Sequence, residues 1–151
     1  MGLLHKLKII PKISLTKFIY YNWFCSKVKR QGKGLVVPFK GSVIEMAAGA
    51  KIILEGDGHF MINNAKPDGS RAESYIRMRR NATLTIRHSA QLCYKATIEI
   101  HENAEVDIGS AYINSDAVIL AAKKIQLGDE CLISRMVFIY DADHHPIVNE
   151  Q

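Results

Sequence analysis

Two carboxylates and two imidazoles crowd into the run Ile139-Tyr140-Asp141-Ala142-Asp143-His144-His145-Pro146-Ile147 near the end of the chain. A carboxylate that accepts the proton of one imidazole nitrogen fixes the ring tautomer. The other nitrogen is then free to take a proton, as a general base must. With an ordinary pKa of about 6.5, such a ring is largely neutral near pH 7 and competent for that task. The same residue types also suit a solvated turn, a divalent-metal site or a frayed segment beside a chain end. Residue types alone leave these readings open.

Whatever the run does, the elements before it must hold it in place, and those elements repeat. Four segments align: Ile44 to Ile52, Ile76 to Leu84, Ile98 to Val106, and Ile125 to Ile133. Each has two aliphatic residues two apart, a short polar or small turn, then Ala or Cys, then another aliphatic. Ile113, Ile119, Ile125, Cys131 and Val137 form one ladder at six-residue steps; Leu127, Ile133 and Ile139 form a second, offset by two. Residues two apart in a strand face the same side, so both ladders can point into one core. A helix would need a period near 3.6. Short strands with a corner every six residues fit instead, and three such sides close a coil of about 18 residues whose backbone pairs in parallel with the next. Small residues at the Ala and Cys positions suit tight corners. The spacings between the four segments are 32, 22 and 27 residues, and Ile62 to Ser70, with Pro67 and Asp68-Gly69, reads as an inserted loop. The early coils are therefore expected to be the less regular ones.

The repeats, the coil Gly128-Asp129-Glu130-Cys131-Leu132-Ile133-Ser134 and the following Asp141-x-Asp143-x-His145-x-Ile147 resemble the hexapeptide-repeat acyltransferases. The resemblance is to the branch that O-acetylates bacterial surface polysaccharides, and it spans most of the chain. It implies an all-β fold, a left-handed parallel β-helix with an N-terminal α-helical segment. It also implies a homotrimer with active sites between subunits, acetyl-CoA as the acyl donor and a sugar hydroxyl as acceptor. On this likeness His145 is the base and Asp143 or Asp141 its acidic neighbour. His144 falls on a variable position, and a one-residue shift of alignment exchanges the two histidines. Members of the family continue past the histidine with coils that supply much of the acetyl-CoA groove. This sequence ends six residues after His145, so a C-terminally truncated form is expected. The alternative to an enzyme is a non-catalytic β-solenoid that associates with partners or with a membrane surface. No metal is expected.

The remaining features bear on setting and partners. The net charge is +5, and it is concentrated early: residues 1–40 hold nine Lys or Arg and no Asp or Glu. One local basic feature is therefore expected, not a generally nucleic-acid-binding surface. Residues 1–32 read as a basic, aromatic helical segment and 33–151 as the solenoid. Leu15, Phe18, Ile19 and Trp23 fall near helical spacing with Ser14 placed to cap. This helix either lays its apolar face on an anionic membrane as a peripheral contact or plugs the open end of the solenoid. Arg77, Arg79, Arg80 and Arg87 read as a solvated solenoid face, without the interleaved aromatics of a single-strand platform, and no nucleic-acid partner is expected. Cys25, Cys93 and Cys131 lack metal or redox spacing, which together with the lack of a signal-peptide core suggests a reduced, cytoplasmic setting.

Overall fold

The computed structural model describes residues 12–142, which form a parallel β-solenoid of three faces. The first face stacks β1 (Val28–Arg30), β4 (Lys51–Leu54), the start of β7 (Thr83–Cys93), the start of β9 (Glu105–Ile113) and β11 (Lys124–Leu127). Its inward column runs Val28, Ile52, Leu84, Val106, Ile125 in direct register. The second face stacks β2 (Val36–Pro38), β5 (Phe60–Asn64), the ends of β7 and β9, and β12 (Cys131–Ile133). The third stacks β3 (Ser42–Met46), β6 (Ser74–Met78), β8 (Thr97–Ile100), β10 (Val118–Ala121) and β13 (Phe138–Tyr140), with Ile44, Ile76, Ile98, Ile119 and Ile139 as its inward column.

The inward columns explain the six-residue rhythm. Ile113, Ile119 and Ile125 are buried on three successive faces, one rung per side of the triangle. At two of the three corners the backbone turns through the left-handed region, at Gly49, Asn81 and Asn103 on one and at Lys95, Asp116 and Met136 on the other, whereas β7 and β9 bend from the first face to the second without such a residue. Asparagine tolerates that region better than most residues. Asn81 Nδ2 also donates to Asn103 Oδ1 at 3.0 Å, so the corner is tied from coil to coil. A Cβ at Gly49 would lie 2.1 Å from the Asn81 Oδ1, which leaves glycine as the residue that fits there. Small residues follow these turns as expected: Ala50, Ala82, Ala104, Ala96 and Ala117 are all buried.

Two features go beyond the repeat pattern. Three of the four aligned segments stack on one another, but the fourth does not. Ile125 pairs with Val106, not Ile98, and Cys131 pairs with Ala111. The segment therefore turns a different corner, from the first face to the second. The motif recurs because Glu130 turns this corner through the left-handed region, as Gly49, Asn81 and Asn103 turn theirs, so sequence similarity identifies a corner without saying which. In addition, strand pairing starts at Val28, ahead of the boundary expected at residue 33. The inserted loop begins later than expected, since Ile62, Asn63 and Asn64 belong to β5, and residues 65–73 contain no strand. The rise from Val28 to Ile52 takes 24 residues, from Ile52 to Leu84 32, from Leu84 to Val106 22, and from Val106 to Ile125 19, so the coil with the inserted loop is the longest and the later ones are shorter.

The first coil is capped by polar side chains. α1 (Leu15–Ile19) continues as a π-helical turn, Tyr20–Phe24, and Ser14 makes no side-chain cap. Asn22 is buried, and it accepts from Val36 N–H at 3.0 Å and donates to Val36 C=O at 2.7 Å. Lys17 donates to Ser42 C=O, Tyr21 to Ile44 C=O at 3.3 Å and Lys27 to Met46 C=O at 2.6 Å. An open strand edge presents unpaired backbone groups, and these four side chains meet those of β2 and β3. The helix thus closes the solenoid with its Tyr21–Asn22 side, while Leu15, Ile19 and Trp23 stay exposed. Replacing Asn22 by Ala leaves a buried N–H and a buried C=O unmet. Chemical denaturation is expected to show a loss of about 2–4 kcal/mol, at a typical 1–3 kcal/mol per stranded group. A loss below about 0.5 kcal/mol would contradict the cap.

The four arginines are all spoken for. Arg77 pairs with Glu45 at 2.9 Å, Arg79 with Glu99 at 3.3 Å, Arg80 with Glu102 at 2.9 Å and Arg87 with Asp107 at 3.2 Å. Each pair joins adjacent coils across a solvated face, so the cluster is no uncompensated basic patch. Exposed pairs of this kind contribute little stability individually.

Candidate functional site

Of the four residues singled out for chemistry, Asp141 lies within the described residues; Asp143, His144 and His145 lie outside them. Asp141 follows β13 directly, at the corner between the third and first faces. Its carboxylate accepts three backbone N–H bonds from the corner beneath: from Ala122 at 2.6 Å, Lys123 at 2.8 Å and Lys124 at 2.6 Å. In the lower coils, corresponding corner amides find carbonyls of the next coil. Arg79 N–H donates to Ile100 C=O, His101 N–H to Ala121 C=O and Thr83 N–H to Ala104 C=O. The Asp141 side chain thus does at this corner what backbone carbonyls do below.

That geometry sets its charge. Desolvation pushes the Asp141 carboxyl up, but the amides of Ala122, Lys123 and Lys124 together outweigh it and hold the group below the usual carboxylate range. Asp141 is therefore ionised at neutral pH, with both oxygens engaged. A group whose folded pKa is depressed contributes stability above its unfolded pKa, and that contribution is lost as pH falls through the folded value. Asp141→Asn replaces the charge with an amide and is expected to cost about 1 kcal/mol at pH 7. The difference from the parent chain should vanish in thermal melts taken well below about pH 4. A difference that persists unchanged into acid would show that charge plays no part.

The coil Gly128 to Ser134 begins with a corner of its own. Gly128 to Cys131 turn the corner between β11 and β12 with Glu130 in the left-handed region. The Glu130 N–H donates to Ser110 Oγ at 2.7 Å, and a Cβ on Gly109 would sit 2.2 Å from Asp129 Oδ1. Glycine at 109 thus makes room for the Asp129 side chain of the next coil. This corner brings His88 Nε2 to 3.6 Å from Asp129 Oδ1, a pairing hidden from sequence reading by its long separation. Both side chains are well exposed, so the contact is weak. A shallow depression of about 390 Å³ lies beside it, lined by Gln91, Ser110, Tyr112, Glu130 and Leu132 among others.

No family model, curated protein or solved structure matches this chain. Its function must therefore be argued from its own residues and its coil geometry. A concavity of about 640 Å³ lies between the inserted loop and the second face, with Lys12, Lys66, Asp68 and Gln91 in its wall. It belongs to the early coils, and among the described residues no histidine lines it. Among the described residues no three His, Cys, Asp or Glu side chains gather as a metal site would need, and no helix is long and apolar enough to cross a membrane. All three cysteines are free thiols; burial pushes the Cys93 thiol up, partly offset by a bond from Tyr112.

Proposed function

We propose that this chain is a hexapeptide-repeat O-acetyltransferase that moves an acetyl group from acetyl-CoA to a hydroxyl of a surface-polysaccharide sugar in the cytoplasm. The observation that carries the reading is the anchoring of Asp141. Three short hydrogen bonds pin it to a rigid corner, so the run that it begins starts from a fixed point. His145 takes the proton of the sugar hydroxyl while that oxygen attacks the thioester carbonyl. The C–S bond breaks, an ester forms, and the CoA thiolate takes up the proton. With both Asp141 oxygens held by backbone, Asp143 is the carboxylate assigned to orient His145, and His144 is given no direct part. General-base assistance of this kind is worth roughly 10²–10⁴ in rate, and holding the two substrates together adds to it. Assembly as a homotrimer would supply walls for the site from a neighbouring subunit.

A second reading is favoured by one observation. On the last described coil Leu132, Met136, Phe138 and Tyr140 are exposed, an unusual density of large apolar side chains for a solvated surface. A solenoid that acts only by associating with partners would use such a surface. Calorimetric titration with acetyl-CoA separates the two: saturable binding supports the transferase, and no heat of binding with the chain folded supports the association module.

A further inference from the structure

The chain closes its first coil with one side of the N-terminal helix and leaves the other side bare. Leu15 is 65%, Trp23 59% and Phe24 74% exposed, and Ile19 and Tyr20 lie beside them in the same outward arc. Isolated exposed apolar residues need no explanation. Five large ones in ten residues, on an element whose opposite side is anchored by Asn22, do. The chemistry around them is one-sided as well. From residue 12 to residue 44 there are seven Lys or Arg and no Asp or Glu. Arg30 lies over the Trp23 ring with its guanidinium carbon 5.7 Å from the centroid, and Lys29 beside it has no ion-pair partner among the described residues.

We infer that this outward arc, Leu15, Ile19, Tyr20, Trp23 and Phe24 with Lys29 and Arg30, docks on an anionic lipid bilayer surface. The five residues line neither concavity described above, and the cations beside them, unpaired among the described residues, suit an anionic plane. Trp and Tyr favour the depth where headgroups meet acyl chains, and an amphipathic helix with cations beside it binds in that plane through apolar burial plus attraction to anionic lipid. The Asn22, Tyr21 and Lys27 bonds to β2 and β3 fix the arc rigidly to the solenoid, so the whole body is oriented at the surface. This surface does not depend on acyl transfer.

Trp23 is the only tryptophan in the chain, so its fluorescence reports on this face alone. The full chain, without acetyl-CoA, is mixed with vesicles of phosphatidylcholine, or of phosphatidylcholine and phosphatidylglycerol, and followed by emission and by co-sedimentation. The expected result is a blue shift and co-sedimentation with the anionic vesicles, weakened by salt, and little with the neutral ones. Leu15→Ser with Phe24→Ser should weaken binding by at least about tenfold while circular dichroism stays unchanged. Lys29→Gln with Arg30→Gln should weaken it by about fivefold for each cation removed. Emission unchanged by anionic vesicles, equal binding to both vesicle types, or binding indifferent to the Leu15 and Phe24 changes would each overturn the inference. A blue shift that grows with protein concentration and needs no vesicles would assign the face to a second copy of the chain and overturn it too.

Discussion

Replacing His145 by Ala is expected to lower acetyl transfer by roughly 10²–10⁴-fold, the usual worth of a positioned general base. The loss should fall on kcat, with the acetyl-CoA KM nearly unmoved, because a base acts on the proton in flight and does not hold the donor. His144→Ala should change the rate by less than about tenfold, since a residue with no part in proton transfer forfeits none of that factor. In the parent chain the rate should fall as pH drops through the histidine's titration, because a protonated ring cannot accept the hydroxyl proton. Asp143→Asn should shift that pH profile and lower kcat, because an amide no longer favours the tautomer with its free nitrogen toward the sugar. If His144→Ala proves the damaging change and His145→Ala the mild one, the roles of the two rings are exchanged.

The second large effect is on stability. Ile98 is fully buried and sits at the centre of the third face, in register with Ile76 on one side and Ile119 on the other. Truncation to Ala removes apolar contact with both neighbouring coils, and a stacked solenoid cannot collapse sideways to fill the void without breaking the strand ladder. A loss of about 3–4 kcal/mol is expected, toward the upper part of the range for such truncations. Against a typical total stability of about 5–15 kcal/mol, that is enough to bring the unfolding midpoint down sharply. A denaturant titration showing less than about 1 kcal/mol would mean that the column is not the continuous core it is taken to be. Leu132→Ala, on an exposed outward position of the last coil, is the matched control and should have little effect.

Most of the fold was legible because one steric rule is written into the chain repeatedly. Each side of the triangle needs inward aliphatics two apart, and two of the three corners take a left-handed residue followed, at Ala50, Ala82, Ala104, Ala96 and Ala117, by a small one. The Ile113–Ile119–Ile125 ladder and the buried alanines at positions 50, 82 and 104 state that rule directly. What periodicity could not show is which corner a given repeat turns, because Glu130 gives Ile125–Ile133 the same left-handed turn between the first two faces that Asn81 and Asn103 give between the third and the first. Nor did helical spacing show which side of α1 faces inward. Hydrophobicity pointed at Leu15, Ile19 and Trp23, whereas the open backbone edge of β2 wanted a residue that donates and accepts at once, and Asn22 meets that need. An asparagine amid aromatics is the signal that was available for it.

The candidate site was legible in its residue types but not in their division of labour. Asp141 and Asp143 look interchangeable in sequence. Only the strand register places Asp141 after Leu120↔Tyr140, where its carboxylate accepts from three corner amides. The contact between His88 and Asp129 was invisible for the opposite reason: it joins residues from non-adjacent stretches that no motif links. The arginine cluster was legible as a solvated face, and its carboxylate partners on adjacent coils give that face its physical basis.

The central claim is acyl transfer to a sugar hydroxyl with His145 as the base, and one assay bears on it most directly. The chain is incubated with acetyl-CoA and a panel of polysaccharide sugars, following release of the free CoA thiol together with the O-acetylated product by mass spectrometry. The expected result is thiol release that requires an acceptor, yields an ester in equal amount and disappears in His145→Ala. Thiol release no faster than the buffer background with every acceptor, or release that survives His145→Ala undiminished, would contradict it.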